Sequence, residues 1–475
     1  MEKNNLIFTL SGIRGIVGKE LNFEIVKKIG IAYGSWLKSI GDEVIIGKDT
    51  RPSSKVIEKA ILEGLGAIGI KIINVGECPT PIIIHAKNRL NIPGGIIITG
   101  SHNPQEWNGL KLLSLKTFLE DIDLAIISRN LRGIKLENYS YKKLKSYKNE
   151  NPLPAYIKDL YNHIDYQSVK KKNKLKVVID TGAGAGKYAT PQILRGLGCK
   201  VKLVNNEFLI HNNFPREIEP IENNLKELIM EVWQSKSDIG FAHDSDADRL
   251  AIIGENGVCY PEDISLALIA EDYLKNHQFK NSEIFFVTNL ASSLMFELIA
   301  EKYRAKIIRT PIGERFLVEE MNRLINKGQK KAKNQLILGG EGSCGGVMIP
   351  DFNNTRDGIF AAAKIVEILV KTGKSVSYLV SELPIFYSYR EKINIKNKNA
   401  GVIIEKVKKE LINEGEKVIQ IKNDLRFGEE KEWFVLIHPS NTEPIIRIIS
   451  EARRKSLARI YCETTAALVE LIISN

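Results

Sequence analysis

The sequence predicts an α/β protein built from three similar mixed α/β domains, with a smaller α+β module at the C-terminal end. Three observations predict it. Short β-rich apolar runs alternate with amphipathic segments of helix length, as strand–helix units on a largely parallel sheet require. The strand-then-helix unit returns three times at a spacing of roughly 100 residues, each time with a Gly-rich or Asp-rich loop after a strand. The last stretch departs from this pattern: the strand-like runs Phe434–Ile437 and Ile445–Ile449 flank a polar loop, and one long helix from Arg453 to Ile472 closes the chain.

In chain order, Val44–Gly47, Gly95–Thr99, Val177–Asp180, Ile239–Phe241, Ile284–Val287 and Leu336–Leu338 read as buried strands. Phe23–Ser39, Ser54–Ile68, Leu225–Ser235, Pro261–Lys275, Gly313–Ile325 and Asp357–Lys371 read as helices. At 475 residues the chain is too long for one core. The polar stretch Glu137–Pro154, the turn Glu255-Asn256-Gly257 and the segment Lys371–Ser377 place boundaries that give domains 1–148, 149–255, 256–375 and 376–475.

An apolar fraction of 43% and a charged fraction of 26% fit a globular enzyme. No run of about 18 apolar residues is present, so no membrane-spanning helix is expected, and Met1-Glu2-Lys3-Asn4-Asn5 lacks a signal-peptide pattern. Cys78, Cys199, Cys259, Cys344 and Cys462 are scattered without a C-x-x-C pair, which argues against a disulfide framework or zinc site and for a reducing cytoplasm. The net charge of +11 is spread along the chain. Its densest runs, Lys170-Lys171-Lys172 and Lys330-Lys331, lie beside polar turns without interleaved aromatics, and read as solvated loops rather than a nucleic-acid surface.

Chemistry concentrates in loops at strand ends. Thr99-Gly100-Ser101-His102-Asn103-Pro104 delivers a serine on a tight turn, where a hydroxyl can accept a phosphoryl group. His102 is placed to orient or polarise it, and Lys111 to balance phosphate charge. Read alone, the string is equally a Ser-Asn-Pro turn. In Asp244-Ser245-Asp246-Ala247-Asp248-Arg249 the carboxylates alternate, so an extended loop can turn them to one side. Such hard oxygen ligands suit Mg²⁺, and Arg249 can pair a phosphate bidentately. Gly339-Gly340-Glu341-Gly342-Ser343-Cys344-Gly345-Gly346 permits close backbone approach, with Glu341 and Ser343 suited to sugar hydroxyls; a flexible glycine turn is the alternative when the string is read alone. His438-Pro439-Ser440-Asn441-Thr442-Glu443-Pro444, followed by Arg447, offers hydroxyls, amides and a guanidinium to a dianion. Ser11-Gly12-Ile13-Arg14-Gly15 presents an arginine between glycines, and Asp49 and Arg51 are expected to brace the serine loop.

These strings in this order, S-G-I-R-G, G-K-D-T-R-P-S-S, T-G-S-H-N-P-Q-E-W-N-G-L-K, D-S-D-A-D-R, G-G-E-G-S-C-G-G and P-S-N-T-E-P-I-I-R, resemble the α-D-phosphohexomutase superfamily along nearly the whole chain. The string Gln105-Glu106-Trp107-Asn108 and the residues after Gly346 look most like archaeal-type phosphoglucosamine mutases. The resemblance implies four domains around a central cleft, the fourth like the TATA-box-binding protein. It also implies a phosphoserine at Ser101, with Mg²⁺ held by that phosphate and Asp244, Asp246 and Asp248. Hexose 6-phosphate and hexose 1-phosphate would interconvert through a hexose 1,6-bisphosphate. Glucosamine phosphate is the expected substrate, with a phosphomannomutase or phosphoglucomutase activity as rival and a Mg²⁺-dependent sugar phosphatase behind both. Arg14 and Lys111 match positions proposed for proton transfer, though an arginine is nearly always protonated and suits an electrostatic role better. Arg249 matches a phosphate or substrate contact. The expected partner is a small sugar phosphate, with no nucleic acid or membrane, on a monomer or homodimer.

The chain departs from the family pattern at several positions. Gly100 stands where alanine is usual, a change expected to be harmless. Ser245 replaces a common glycine, Cys344 follows Ser343 where many relatives have glycine, and His438 replaces the arginine that usually opens the phosphate loop. Histidine titrates near neutral pH and arginine does not, so phosphate affinity is expected to be weaker or pH-dependent.

Overall fold

The computed structural model describes residues 7–9, 12–139, 146–276, 283–331, 334–396, 398–440 and 444–474. The chain forms two compact units, one made of Met1–Ile269 and Cys344–Leu379, the other of Ala270–Ser343 and Val380–Asn475.

The first unit holds two sheets. One has seven strands in the order Ile7–Thr9, Gly12–Ile16, Trp107–Leu113, Gly94–Ile98, Glu43–Lys48, Lys71–Glu77, Tyr147–Asn149. Glu43–Lys48 runs parallel to both neighbours, and Trp107–Leu113 returns antiparallel to Gly94–Ile98. The helices Phe23–Leu37 and Ser54–Ala67 supply Val26, Ile29, Ile57 and Ile61 to its core. The first begins where the Asn22 side chain accepts the Ile25 N–H. They pass close together at Gly64, where a Cβ would lie 2.3 Å from the Lys27 carbonyl oxygen, so only glycine fits. Part of the polar stretch read as a linker is in fact an edge strand: Tyr147–Asn149 pairs with Ile72–Asn74.

The second sheet orders Ala251–Gly254, Ile239–Ala242, Lys176–Asp180 and Lys200–Val204, parallel except at its first strand. The returning segment carries the helix Gly358–Thr372 and a short strand, Gly346–Met348, that belongs to neither of these sheets. Asp357 caps that helix by accepting the Phe360 N–H, and Gly373, at φ 64, ends it.

The second unit contains the parallel strands Lys306–Thr310, Glu283–Asn289 and Gln335–Glu341. It also contains a five-stranded sheet ordered Tyr387–Asn394, Ile445–Ala452, Trp433–Pro439, Asp424–Glu429, Ile419–Ile421. The neighbours in that sheet are antiparallel. Ala400–Asn413 and Lys455–Ser474 cover one face, burying Ile403, Val407, Cys462 and Val469 against Leu425, Val435 and Ile448. Phe434 and Leu436 on the other face pack with Leu290 and Leu294. The predicted fold class therefore holds, including the antiparallel α+β module.

Candidate active site

The serine loop is built on a buried carboxylate. Asp49 Oδ1 accepts from Arg51 N (3.1 Å) and Ser54 Oγ (2.9 Å), and Oδ2 from Arg51 Nε (3.1 Å) and Thr99 Oγ1 (2.7 Å). Arg51 then donates to the carbonyl oxygens of Ser101, Asn103, Pro104 and Trp107 at 2.7–2.9 Å. Asp49 and Arg51 thus brace the loop as the sequence suggested. The guanidinium fills the space beside Gly100, where a Cβ would lie 2.5 Å from Arg51 Cζ. Thr99 leaves the strand Gly94–Ile98, and its hydroxyl accepts the Ser101 N–H at 2.8 Å. Ser101 is buried at φ 47, a left-handed conformation unusual for a residue with a side chain. Its hydroxyl donates to Asp244 Oδ2 at 3.0 Å and lies 3.4 Å from His102 Nδ1.

The acidic loop follows the strand Ile239–Ala242. His243 donates from Nδ1 to the Arg249 carbonyl (2.8 Å), so its Nε2 accepts from Thr190 Oγ1 (3.0 Å). Burial lowers its pKa to about 4, which keeps this strut neutral. Ligand atoms of Asp244, Asp246 and Asp248 lie within 4.8 Å of one another, all buried. Lys111 Nζ donates to Asp246 Oδ2 (2.7 Å) and Asp248 Oδ2 (2.9 Å), Thr80 Oγ1 to Asp246 Oδ2 (2.7 Å), and Arg356 Nη2 to Asp248 Oδ2 (2.6 Å). Burial and then the charges of Asp248 and Asp246 hold the Asp244 carboxyl well above its ordinary pKa. Burial pushes Asp248 the same way, but Arg356, Lys111 and Arg249 outweigh it and keep that group ionised. Asp246 Oδ1 and Asp248 Oδ1 are buried with no hydrogen-bond partner among the described residues. Crowded carboxylates with bare oxygens fit a hard divalent cation.

Cations and one neutral ring surround Ser101. Arg14 Nη1 donates to Asn103 Oδ1 at 2.6 Å; burial lowers its pKa to about 10, still charged at neutral pH. Arg249 donates from Nη2 to His102 Nδ1 (2.8 Å) and from Nη1 to Glu219 Oε1 (3.2 Å), with Nε 3.8 Å from Asp244 Oδ2. The Arg249 charge, with burial, holds His102 well below its ordinary pKa. His102 is therefore a neutral imidazole with its proton on Nε2, and its Nδ1 accepts from Arg249.

In the second unit, Glu341 ends its strand with Oε1 accepting from Asn289 Nδ2 (3.0 Å) and Gly313 N (2.9 Å). Ser343 is half-buried two residues on. His438 donates from Nδ1 to Asp424 Oδ1 at 2.6 Å, and stands opposite Arg447 across the strand pair. Ser440 donates its N–H to the Ile445 carbonyl at 2.9 Å. Asn441 and Thr442 lie outside the described residues. Sequence reasoning missed Thr80, Arg356 and Asn289. The signal available was the string Arg356-Asp357-Gly358, which carries charge at a helix start without revealing its partner.

The sequence matches the family models for phosphoglucomutase/phosphomannomutase alpha/beta/alpha domains I, II and III over residues 5–129, 154–257 and 261–387. It is 37% identical to a phosphoglucomutase/phosphomannomutase of Thermococcus kodakarensis, over 98% of each chain. It is 33% identical to a probable phosphoglucosamine mutase of Pyrococcus abyssi, over 98% of this chain and 97% of that one. Among solved structures, a phosphoglucomutase/phosphomannomutase family protein of Burkholderia thailandensis shares the fold, with a TM-score of 0.81 at 24% identity over 99% of this chain and 98% of that one. An Aspergillus fumigatus N-acetylphosphoglucosamine mutase, solved with GlcNAc-6P and magnesium, aligns with a TM-score of 0.62 at 12% identity over 98% of this chain and 96% of that one. The chain belongs to the phosphoglucomutase/phosphomannomutase family, a family of phosphohexomutase isomerases.

Proposed function

We propose that this protein interconverts a hexose 6-phosphate and its hexose 1-phosphate through a phosphoserine at Ser101, with glucosamine phosphate as the substrate to test first. The observation that carries the reading is the Ser101 hydroxyl 3.0 Å from Asp244, beside a buried trio of carboxylates with bare oxygens. Phosphoryl transfer needs positioning and charge neutralisation more than covalent chemistry from the protein.

Asp244, Asp246, Asp248 and the Ser101 phosphate would hold Mg²⁺, which supplies positive charge beside the transferring group. Ser101 gives its phosphoryl to the free hydroxyl of the hexose phosphate, forming a 1,6-bisphosphate and freeing Oγ. After the bisphosphate turns over, Ser101 takes the other phosphoryl and the isomer leaves. Lys111, Arg249 and the charged Arg14 balance the phosphate oxygens. His102, a neutral imidazole, accepts from Arg249 through Nδ1 and so helps hold that guanidinium beside Oγ. Glu341 and Ser343 grip sugar hydroxyls, while His438, Ser440, Asn441, Thr442 and Arg447 receive the phosphate that is not transferring. The strings around Gln105 and after Gly346 support glucosamine phosphate, as do relatives named phosphoglucosamine mutase; the 37%-identical relative keeps glucose and mannose phosphates in the comparison. We place the enzyme in the cytoplasm.

The test is a coupled assay with glucosamine, glucose and mannose phosphates, catalytic hexose 1,6-bisphosphate and Mg²⁺. Isomer formation and a phosphorylated mass on Ser101 are expected, and Ser101→Ala is expected to lose turnover by a factor of about 10³ or more. Phosphate release without isomer would make the protein a phosphatase. Full turnover in Ser101→Ala would remove the phosphoserine mechanism.

A further inference from the structure

Ser245 lies between two of the carboxylates proposed for the cation, but its hydroxyl serves the other loop. Its Oγ stands 2.7 Å from the Ser101 carbonyl oxygen and 2.9 Å from Asp49 Oδ2. A serine hydroxyl has one proton, so the two acceptors compete for it. Asp49 already receives Arg51 N, Arg51 Nε, Ser54 Oγ and Thr99 Oγ1. The Ser101 carbonyl receives Arg51 Nη2 at 2.7 Å and has a lone pair to spare. The proton of Ser245 is best placed on that carbonyl, with Asp49 as the second acceptor.

This contact matters because of the backbone it holds. Ser101 sits at φ 47, a left-handed conformation that is unfavourable for a non-glycine residue. Such a conformation persists only when its surroundings over-determine it. Thr99 Oγ1 fixes the Ser101 N–H at 2.8 Å, and Arg51 and Ser245 fix its carbonyl. Thr99 and Arg51, like Ser101, lie just after strands of the seven-stranded sheet, whereas Ser245 comes from the acidic loop, which follows a strand of the second sheet. Its hydroxyl therefore joins the Ser101–Asp244 and Arg249–His102 contacts in setting the spacing between the two loops, and among these three it alone acts on the Ser101 backbone.

The geometry points to Ser245 as a positioning residue for phosphoryl transfer: it ties the Ser101 peptide to the acidic loop and so keeps Ser101 Oγ aimed at Asp244. No bond is made or broken at Ser245. The inference rests on Ser101 being the phosphoryl carrier.

The experiment follows Ser101 phosphorylation by intact mass in a single turnover, with glucose 1,6-bisphosphate and Mg²⁺ as the probes. Wild-type protein that has first been dephosphorylated, as its intact mass shows, and then takes up no phosphoryl group removes the carrier reading, and this inference with it. With the wild type active, Ser245→Ala and Ser245→Gly are expected to slow uptake about tenfold or more. The KM for hexose phosphate is expected to stay near the wild-type value. Ser245→Thr keeps the hydroxyl and is expected to recover most of the rate, whereas the near-isosteric Ser245→Val is not. Uptake at the wild-type rate in Ser245→Ala overturns the inference, whatever its thermal midpoint. Should the Ala and Gly variants fail to fold, equal rates in the Thr and Val variants overturn it as well.

Discussion

His438 donates to Asp424 on one neighbouring strand and faces Arg447 on the other. The Asp424 carboxylate at 2.6 Å would hold a guanidinium as readily as an imidazole. An arginine keeps its charge at any working pH and can grip a phosphate bidentately, so His438→Arg is expected to lower KM for the hexose phosphate about tenfold. Steady-state kinetics check this, and an unchanged KM would take His438 out of the phosphate receptor. Single residues were legible when their chemistry is uncommon at that spacing, as with Asp244, Asp246 and Asp248. Thr80 and Arg356 were not, because each is defined by a distant partner: Asp246 at 2.7 Å and Asp248 at 2.6 Å. Gly100 looked like a neutral replacement of alanine; only the folded loop shows that Arg51 occupies the place of its missing Cβ.

The helix Gly358–Thr372 places Arg356 just ahead of its first turn. Its cap, Asp357, also receives the Tyr156 hydroxyl at 2.7 and 2.8 Å and Asn353 Nδ2 at 2.9 Å. Burial raises the Asp357 carboxyl to about 6 against those hydrogen bonds. A carboxyl with a raised folded pKa binds its proton more tightly in the folded state, so its contribution to stability is present at acid pH. It is lost as pH rises from about 4 to about 6. That contribution is at most about 3 kcal/mol. Asp357→Asn is expected to flatten that part of the stability curve, as denaturant unfolding at pH 4.5 and 7 would show; a parallel curve would contradict the assignment. Long helices with a clear apolar face were legible, most to within a few residues, though the one read as Gly313–Ile325 runs on to Lys331. Edge strands such as Tyr147–Asn149 were not, because their exposed residues carry no alternation, only a pairing partner.

The four-part architecture was legible because the strand–helix unit repeats, and the C-terminal module because its pattern breaks. Which segments share a core was not, since sequence order hides the return of residues 344–379 to the first unit. The proposed cation ligands all belong to that unit. Mg²⁺ that binds the folded chain alone adds about 2.7 kcal/mol when present at 100 times its Kd. The thermal midpoint is therefore expected to rise by a few degrees in Mg²⁺ and to fall back with a chelator. A midpoint indifferent to both in wild type, or an equal response in Asp246→Asn/Asp248→Asn, would count against a cation at this site.

The return of residues 344–379 has a consequence on the ribosome. When Ile269 has been made, the first unit still lacks the helix whose cap takes the Tyr156 hydroxyl and the arginine that neutralises Asp248. A further stretch of nascent chain must be synthesised first, which takes several seconds at typical elongation rates. Until then the acidic loop carries more uncompensated negative charge than it does in the finished protein.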